Sequence, residues 1–297
     1  MALRVGCPLW AFRGWVGNLF PPDAKPRDYL RHYAQVFGAV EANSTFYALP
    51  PEDVVARWRE DVPEGFRFCF KLPRVISHER MLEGAELETE RFFARMDPLG
   101  DRLGPFFLQL GPSFDKSHFE ALARYLETFP KRRALAVEVR HPDWFDEGET
   151  EARLTRLLTD LGMDRVLFDS RPLFASKVLD ATTVAAQGRK PRVPVRTRTP
   201  GQRPFVRFVG QNDTRAASGY LGQWQAPVTQ WLDEGREVYF FTHAPDDTFA
   251  PRLGRVFTHL VARARPALVE AMPEWPGEVA PEPEPQLSLL PTAEEQP

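Results

Sequence analysis

The chain has 297 residues, a formal net charge of −3, and a composition that is 43% hydrophobic and 27% charged. This length suits one large domain or two small ones, and the apolar fraction is sufficient for a sizeable core. No stretch approaches the roughly 20 apolar residues of a membrane span, and the N-terminus lacks the pattern of a signal peptide. Both cysteines, Cys7 and Cys69, lie in apolar runs, so we expect reduced thiols in a cytoplasmic protein without a membrane partner.

Eight short β-like runs follow one another along the chain, separated by stretches with helical spacing. The runs span 3–7, 39–43, 66–71, 105–110, 134–140, 165–169, 204–210 and 237–243. Apolar residues recur every three or four positions in 26–37, 118–129 and 149–162. This alternation predicts an α/β fold, a single-domain (β/α)8 TIM-type barrel over residues 1–272. The alternative is a doubly wound open sheet, which the lack of a G-x-G-x-x-G motif after the first run disfavours.

Residues 170–203 interrupt the alternation because their apolar periodicity is poor. We expect a long loop there, with no more than one short helix. Its second half, 188–203, carries six Lys or Arg residues and no acid. Such a stretch is typical either of a nucleic-acid contact or of a solvated basic loop restrained by its prolines, and the sequence leaves both open.

The last 25 residues, 273–297, differ in composition from the rest of the chain. They contain seven prolines and six acidic residues but no Lys or Arg, which leaves a net charge of +3 on residues 1–272. This composition predicts a disordered, acidic, Pro-rich tail after the single domain.

Polar side chains stand near the carboxyl end of seven of the eight predicted strands, and the preceding residues of the same parity are mostly apolar or small. They are Glu41, Asn43, Lys71, Gln109, Glu138, Arg140, Asp169, Arg207 and His243. In a barrel of this class the carboxyl ends of the strands meet at one mouth, where active sites are built. The sequence therefore predicts a ligand site at that mouth. A salt-bridge network that satisfies itself is the alternative.

The residue types suggest roles within such a site. Glu41, Glu138 and Asp169 are candidates for general acid or base. Lys71, Arg140 and Arg207 would hold a phosphate or carboxylate, and Asn43 and Gln109 would orient the ligand. Aromatic residues near the same rim are candidates for stacking walls: Trp10, Trp15, Phe46, Tyr47 and Trp144.

No cofactor is predicted, and a divalent metal is the alternative. His78, His141 and His243 follow three of the predicted strands and are the candidate ligands. No H-x-x-x-H or C-x-x-C spacing supports such a site. The sequence also lacks a G-x-S-x-G elbow and a P-loop, so it gives no support to those chemistries.

Five segments together resemble the domain-of-unknown-function-72 family, the YecE-like proteins. They are "EANSTFY" (41–47), "FCFKLPRVISH" (68–78), "LQLGPSF" (108–114), "VEVRHPDW" (137–144) and "FVRFVGQND" (205–213). The resemblance covers about residues 3–265 and implies a TIM-type barrel with no assigned activity.

The resemblance also implies a set of signature polar positions. These match Glu41, Asn43, Lys71, Gln109, Glu138, Arg140, Trp144, Asp169 and Arg207 in this chain. Many members carry two asparagines after the eighth strand, where this chain has Thr242 and His243. That departure favours a metal-binding or proton-transfer role for His243.

The segment "QLSLLP" (286–291) is an apolar exception within the polar tail. Gln286, Leu287, Leu289 and Leu290 resemble the short peptide by which bacterial repair and replication proteins dock on the DNA sliding clamp. Linear motifs of this kind order on binding. A spacer without a partner is the alternative.

Three functional hypotheses follow. The first is an enzyme that binds a small anionic ligand at the barrel mouth and uses carboxylates for acid/base chemistry. The second is a metal-dependent phosphodiesterase of the abasic-site endonuclease type, recruited to DNA by the tail. The third is a ligand-binding barrel without catalysis.

Overall fold

The computed structural model describes residues 2–278, and all eight predicted strands are present. The strands are β1 Ala2–Gly6, β2 Ala39–Ala42, β3 Arg67–Phe70, β4 Phe106–Gln109, β5 Leu135–Glu138, β6 Asp164–Asp169, β7 Phe205–Val209 and β8 Glu237–His243. Every paired strand runs parallel to its neighbour. Parallel pairing requires crossover connections, which the helices provide.

Helices follow each strand on the outside of the sheet. They are α1 Tyr29–Ala34, α2 Glu52–Asp61, α3 Glu86–Met96, α4 Phe119–Thr128, α5 Glu149–Asp160, α6 Arg171–Ala175, α7 Ala181–Arg189, α8 Thr214–Asp233 and α9 Ala250–Ala264. The predicted helices at 118–129 and 149–162 correspond to α4 and α5. The predicted helix at 26–37 is shorter, because a 3-10 turn over Pro26–Asp28 precedes α1.

The strands form two ladders that meet at two seams. Six strands pair in the order β1-β8-β7-β6-β5-β4, and β2 pairs with β3. At the first seam the Glu41 amide donates to the Cys7 carbonyl at 3.0 Å, and at the second the Leu72 amide donates to the Phe107 carbonyl at 3.0 Å. This arrangement confirms the predicted α/β class, with its eight strands in (β/α)8 order.

Gly6 shows how closely the chain is packed at the first seam. A Cβ atom at this position would lie 2.1 Å from the Ala39 carbonyl oxygen, far inside van der Waals contact. Only glycine therefore allows β1 to approach β2 this closely.

Two apolar layers hold the strands. The inward-facing side chains form a compact cluster that fills the space between the strands: Ala39, Cys69, Phe107, Ala136, Val166, Phe205, Tyr239 and Phe241. A much larger cluster lies between the outward strand faces and the helices. Because side chains alternate along a strand, the next inward position of each strand lies two residues nearer its carboxyl end. In β2, β4, β5, β7 and β8, and directly after β3, that position carries a polar side chain, whereas in β6 it carries Phe168.

The segment 170–203 contains two helices, α6 and α7, where the sequence predicts at most one short helix. Only a small apolar cluster, which includes Leu173 and Ala186, holds these helices, and polar contacts add to it. The Asp180 carboxylate caps α7 by accepting from the Thr183 amide at 2.9 Å. The Ser170 hydroxyl donates to the Pro191 carbonyl at 2.8 Å and joins the two ends of the segment.

Residues 273–278, assigned to the tail from sequence, pack against the domain. Trp275 is 1% exposed, and the Arg255 guanidinium lies 3.6 Å from its ring centroid. The tail motif Gln286, Leu287, Leu289 and Leu290 lies outside the described residues. Within residues 2–278, no helix has the length and apolar character needed to cross a bilayer.

Candidate functional site

A cavity of about 620 Å³ opens at the carboxyl ends of the strands. This volume falls within the range of small-molecule sites. Of the polar tips predicted from sequence, six line it directly: Asn43, Lys71, Gln109, Arg140, Arg207 and His243. Glu41 and Glu138 lie immediately behind them, fully buried, and are in contact with Arg207. The predicted convergence of these eight residues is therefore observed.

Arg207 is the centre of a buried charge network. Its Nε and Nη2 donate to the two carboxylate oxygens of Glu41 at 2.7 and 2.6 Å, a bidentate pair. Its Nη1 donates to Glu138. Its guanidinium carbon lies 5.2 Å from the centroid of the Phe107 ring, which belongs to the apolar layer beneath. Arg207 therefore joins β7 to β2 and β5 across the interior.

Arg140 extends the network to the cavity. Its Nε donates to Glu138 at 2.6 Å and its Nη2 donates to the Gln109 amide oxygen at 2.6 Å. A guanidinium has five N–H donors, and within residues 2–278 the Nη1 of Arg140 makes no hydrogen bond. Since Arg140 also lines the cavity, these donors are available to a ligand.

Both buried glutamates are strongly ionised. Burial opposes ionisation of Glu138, but the charges of Arg140 and Arg207 outweigh it and lower its pKa to about 2. In the same way Arg207 holds the pKa of the buried Glu41 well below its usual range. A carboxylate with so low a pKa is a poor proton acceptor near neutral pH. The geometry thus favours a positioning role for both residues.

Two further side chains hold Glu41. The Asn43 amide donates to its Oε1 at 2.8 Å, and His243 Nε2 lies 3.0 Å from its Oε2. Burial lowers the pKa of His243 to about 4 despite the attraction of Glu41. His243 is therefore neutral at pH 7, and its Nε2–H donates to the carboxylate.

Lys71 differs from the two arginines because the nearby acids are already paired. Its side chain is 7% exposed, and its Nζ lies 3.6 Å from the Phe46 ring centroid. Within the described part of the chain, Lys71 forms no ion pair. Burial and the charge of Arg207 lower its pKa to about 7.

Helix α7 and the residue after it cover one side of the cavity. Arg189 and Lys190 line it from there, and burial together with Arg207 lowers the pKa of Lys190 to about 8. Six Lys or Arg side chains line the cavity, against one carboxylate in the lining, Asp247. Even with Glu41 and Glu138 included, the cations remain in excess.

Two sequence-predicted site residues lie elsewhere. The Asp169 carboxylate is fully buried, pairs with Arg171 at 2.8 Å, and accepts from the Trp224 indole at 2.9 Å. The inward position at the end of β6 is Phe168, over which Arg140 and Arg207 lie. The Trp144 indole donates to the Phe114 carbonyl at 2.7 Å and is fully buried. Neither Asp169 nor Trp144 lines the cavity.

The aromatic candidates divide in the same way. Trp10, Phe46 and Tyr47 line the cavity, whereas Trp15 is 1% exposed and stacks on Tyr33 in the core. The lining therefore combines aromatic side chains with the cations. That combination suits an anion that also carries an apolar part.

The histidines do not form a metal site with their neighbours. His78 lines the cavity, but its Nδ1 lies 2.8 Å from the Ser77 hydroxyl, and His141 is absent from the lining. His243 is bonded to Glu41, which Arg207 already occupies. Across residues 2–278, no three His, Cys, Asp or Glu side chains group as metal ligands would. The residues present do not fit a divalent cation, which the surrounding Lys and Arg side chains would also repel.

Arg189 and Lys190 were not identified as site residues from sequence. They belong to the basic stretch 188–203, whose other members are partly used within the domain. Arg196, for example, donates to Glu151 at 2.8 and 3.0 Å. No local pattern distinguishes Lys190 from its basic neighbours, because the packing of α7 over the mouth determines which of them face the cavity.

The chain is similar to known proteins along most of its length. A family model described as "Protein of unknown function DUF72" matches residues 4–277. The UPF0759 protein YecE of Escherichia coli K12 is 36% identical over 274 residues, which cover 92% of this chain and 98% of that protein. The UPF0759 protein YunF of Bacillus subtilis 168 is 26% identical over 141 residues, 44% of this chain and 50% of that protein.

Two crystal structures share the fold. A DUF72 family protein from Thermotoga maritima MSB8 superposes with a TM-score of 0.66 at 23% identity, covering 89% of this chain and 99% of that chain. A DUF72 family protein from Enterococcus faecalis V583 gives a TM-score of 0.66 at 16% identity, covering 88% of this chain and 95% of that chain.

Proposed function

The chain belongs to the DUF72 family of proteins of unknown function, and on that premise we propose that it is an enzyme whose mouth cavity binds a small anionic molecule. The anionic group of the ligand is a phosphate or a carboxylate. The observation that carries this proposal is the excess of cations around the cavity. Two of them, Lys71 and Lys190, have no acid partner within residues 2–278.

The buried network supports the proposal by fixing the donors in advance. Glu138 and Gln109 hold one edge of the Arg140 guanidinium, so its Nη1 edge stays oriented without a ligand. Preorganised donors of this kind bind an anion without further ordering of the side chain. Glu41 and Glu138 thus act through the arginines and are positioning residues.

The metal-dependent phosphodiesterase hypothesis receives less support. It requires a cluster of metal ligands, and residues 2–278 provide none. It also requires basic residues in 188–203 that are free to contact nucleic acid. In this stretch Arg196 is paired with Glu151, and Lys190 faces the cavity. We therefore retain one function, binding and conversion of a small anionic molecule.

Binding of inorganic phosphate and of glycolate, measured by isothermal titration calorimetry, tests the proposal. Ethylene glycol is the uncharged counterpart of glycolate and is expected not to bind. Arg140→Met removes donors to the anion and is expected to weaken binding at least tenfold, since hydrogen bonds to charged groups contribute roughly 1.5–3 kcal/mol.

Lys116→Met is the matched control, because Lys116 is exposed and lies outside the cavity. It is expected to leave the affinity unchanged. Equal binding by wild type and Arg140→Met, or no binding of either anion at millimolar concentration, would contradict the proposal.

A further inference from the structure

Lys71 has a nucleophilic amine in a cavity that contains other groups for holding an anion. Its backbone is fixed on both sides, because its amide donates to the Ala42 carbonyl at 3.1 Å and its carbonyl accepts from the Thr45 hydroxyl at 2.8 Å. The side chain is therefore anchored at the carboxyl end of β3. Its amine lies over the Phe46 ring, 3.6 Å from the centroid, and Arg140 and Arg207 line the same cavity.

The surroundings of Lys71 favour its neutral form. Burial is the main cause of its lowered pKa, followed by the charge of Arg207, and the attraction of Glu138 does not compensate. A lysine desolvated beside another cation is a recognised form of activated amine nucleophile. The arginines keep their charge at all relevant pH values and can hold the anion without Lys71.

We propose that Lys71 forms an imine with the carbonyl group of its substrate, which is an aldehyde or ketone that also carries a carboxylate or phosphate. This inference rests on the proposed function, because Arg140 and Lys190 must hold the anionic group while Lys71 reaches the carbonyl carbon.

The chemistry balances without a further reagent. The lone pair of the neutral amine adds to the carbonyl carbon, and the carbonyl oxygen takes up a proton to give a carbinolamine. Loss of the hydroxyl as water, with the remaining amine proton, forms the carbon–nitrogen double bond. Water returns the amine and the carbonyl by the reverse path. An imine withdraws electrons from the adjacent carbon, so cleavage or proton exchange at that carbon is the class of reaction expected.

Reductive trapping with glyoxylate, a small aldehyde with a carboxylate, tests the inference on the wild-type protein. Sodium cyanoborohydride reduces an imine to a stable carboxymethyl-lysine, and peptide mass spectrometry then locates it. The four lysines outside the cavity are internal controls: Lys25, Lys116, Lys131 and Lys177.

We expect Lys71 to be trapped at least tenfold faster than the exposed lysines, and inorganic phosphate to suppress the reaction. Propionaldehyde, which lacks the anionic group, is expected to show no such preference. Lys71→Met is expected to lose the adduct at this position, whereas Lys116→Met, at an exposed position outside the cavity, is expected to leave the trapping of Lys71 unchanged.

The outcomes separate this inference from the proposed function. If glycolate binds but Lys71 is trapped no faster than the exposed lysines, the imine is wrong and the anion site stands. If Lys190 is trapped in place of Lys71, the assignment of the amine is wrong. If glycolate and phosphate both fail to bind and no lysine is trapped preferentially, both proposals fail.

Discussion

At the scale of single residues, the main change from the sequence-based hypothesis concerns the acids. Glu41 and Glu138 were candidates for proton transfer, and their contacts instead favour a role in holding Arg207 and Arg140. A buried ion pair stabilises little relative to apolar packing, but removal of one partner leaves a charge that burial penalises strongly. The stability of the domain should therefore depend on Glu138 in a manner that varies with pH.

Glu138→Gln is expected to lower the free energy of unfolding by roughly 3 kcal/mol at pH 7. The pKa of Glu138 is lowered from 4.5 to about 2 in the folded protein, so its ionisation stabilises the fold above pH 4.5 and this contribution is lost as pH falls toward 2. The difference between wild type and variant should therefore shrink by roughly 1 kcal/mol between pH 4.5 and pH 3.5.

Urea unfolding at the two pH values measures this difference. Glu127→Gln, at an exposed position, is the control and should stay within about 0.5 kcal/mol of wild type at both. A difference for Glu138→Gln that does not change with pH would rule out the low pKa.

Much of the site could be predicted from strand parity alone. In four strands an apolar or small residue is followed two positions later by a polar one, and these polar side chains meet at the mouth. The pairs are 39 and 41, 107 and 109, 136 and 138, and 205 and 207. Asp169 does not line the cavity as the sequence predicts, because the alternation of side chains along β6 directs Phe168 inward and Asp169 toward Trp224. Lys190 could not be found in this way, since a connecting segment rather than a strand brings it to the cavity.

At the scale of secondary structure elements, α7 and the residue after it supply two of the six cations that line the cavity. Polar contacts join this helix and the residues after it to the rest of the domain: the Gln187 amide donates to the Leu173 carbonyl at 3.0 Å, and the Ser170 hydroxyl donates to the Pro191 carbonyl at 2.8 Å. Its first turn depends on Asp180, which accepts from the amide and hydroxyl of Thr183 at 2.9 and 2.6 Å. Arg189 and Lys190 at its end should therefore respond to changes at its beginning.

Asp180→Ala is expected to loosen α7 and weaken glycolate binding several-fold, because the first turn loses its N-cap and Lys190 loses a fixed position. Hydrogen–deuterium exchange should rise in residues 181–190 and stay unchanged in β2 and β7. Asp115→Ala removes a comparable cap, the acceptor for the Ser117 amide, outside the cavity. If the two variants bind glycolate equally well, α7 has no part in the site.

At the scale of the whole molecule, the domain and the tail pose separate questions. The cavity and its cations belong to the described residues, whereas the clamp-like motif at 286–291 does not. The segment around Trp275 packs against the domain and is the last part of the chain that the structure describes.

We propose, from the sequence of the motif, that residues 280–297 bind the bacterial DNA sliding clamp. A peptide of these residues is expected to bind purified clamp with micromolar affinity, since its leucines would fill an apolar cleft. Leu287→Ala is expected to weaken the binding, while Val279→Ala in the full-length chain should not. Fluorescence anisotropy measures both, and no binding at ~100 µM would show that the motif is a spacer.

The pairing of Glu41 with Arg207 has a consequence for how the chain assembles. The two residues are 166 positions apart, so the first six strands are synthesised before the partner of Glu41 exists. Until β7 is added, closing the mouth would bury two carboxylates without their common counter-charge, which is unfavourable. We therefore expect the mouth to close only when β7 is in place. The same network that positions the ligand donors thus makes completion of the mouth a late event, dependent on nearly the full length of the domain.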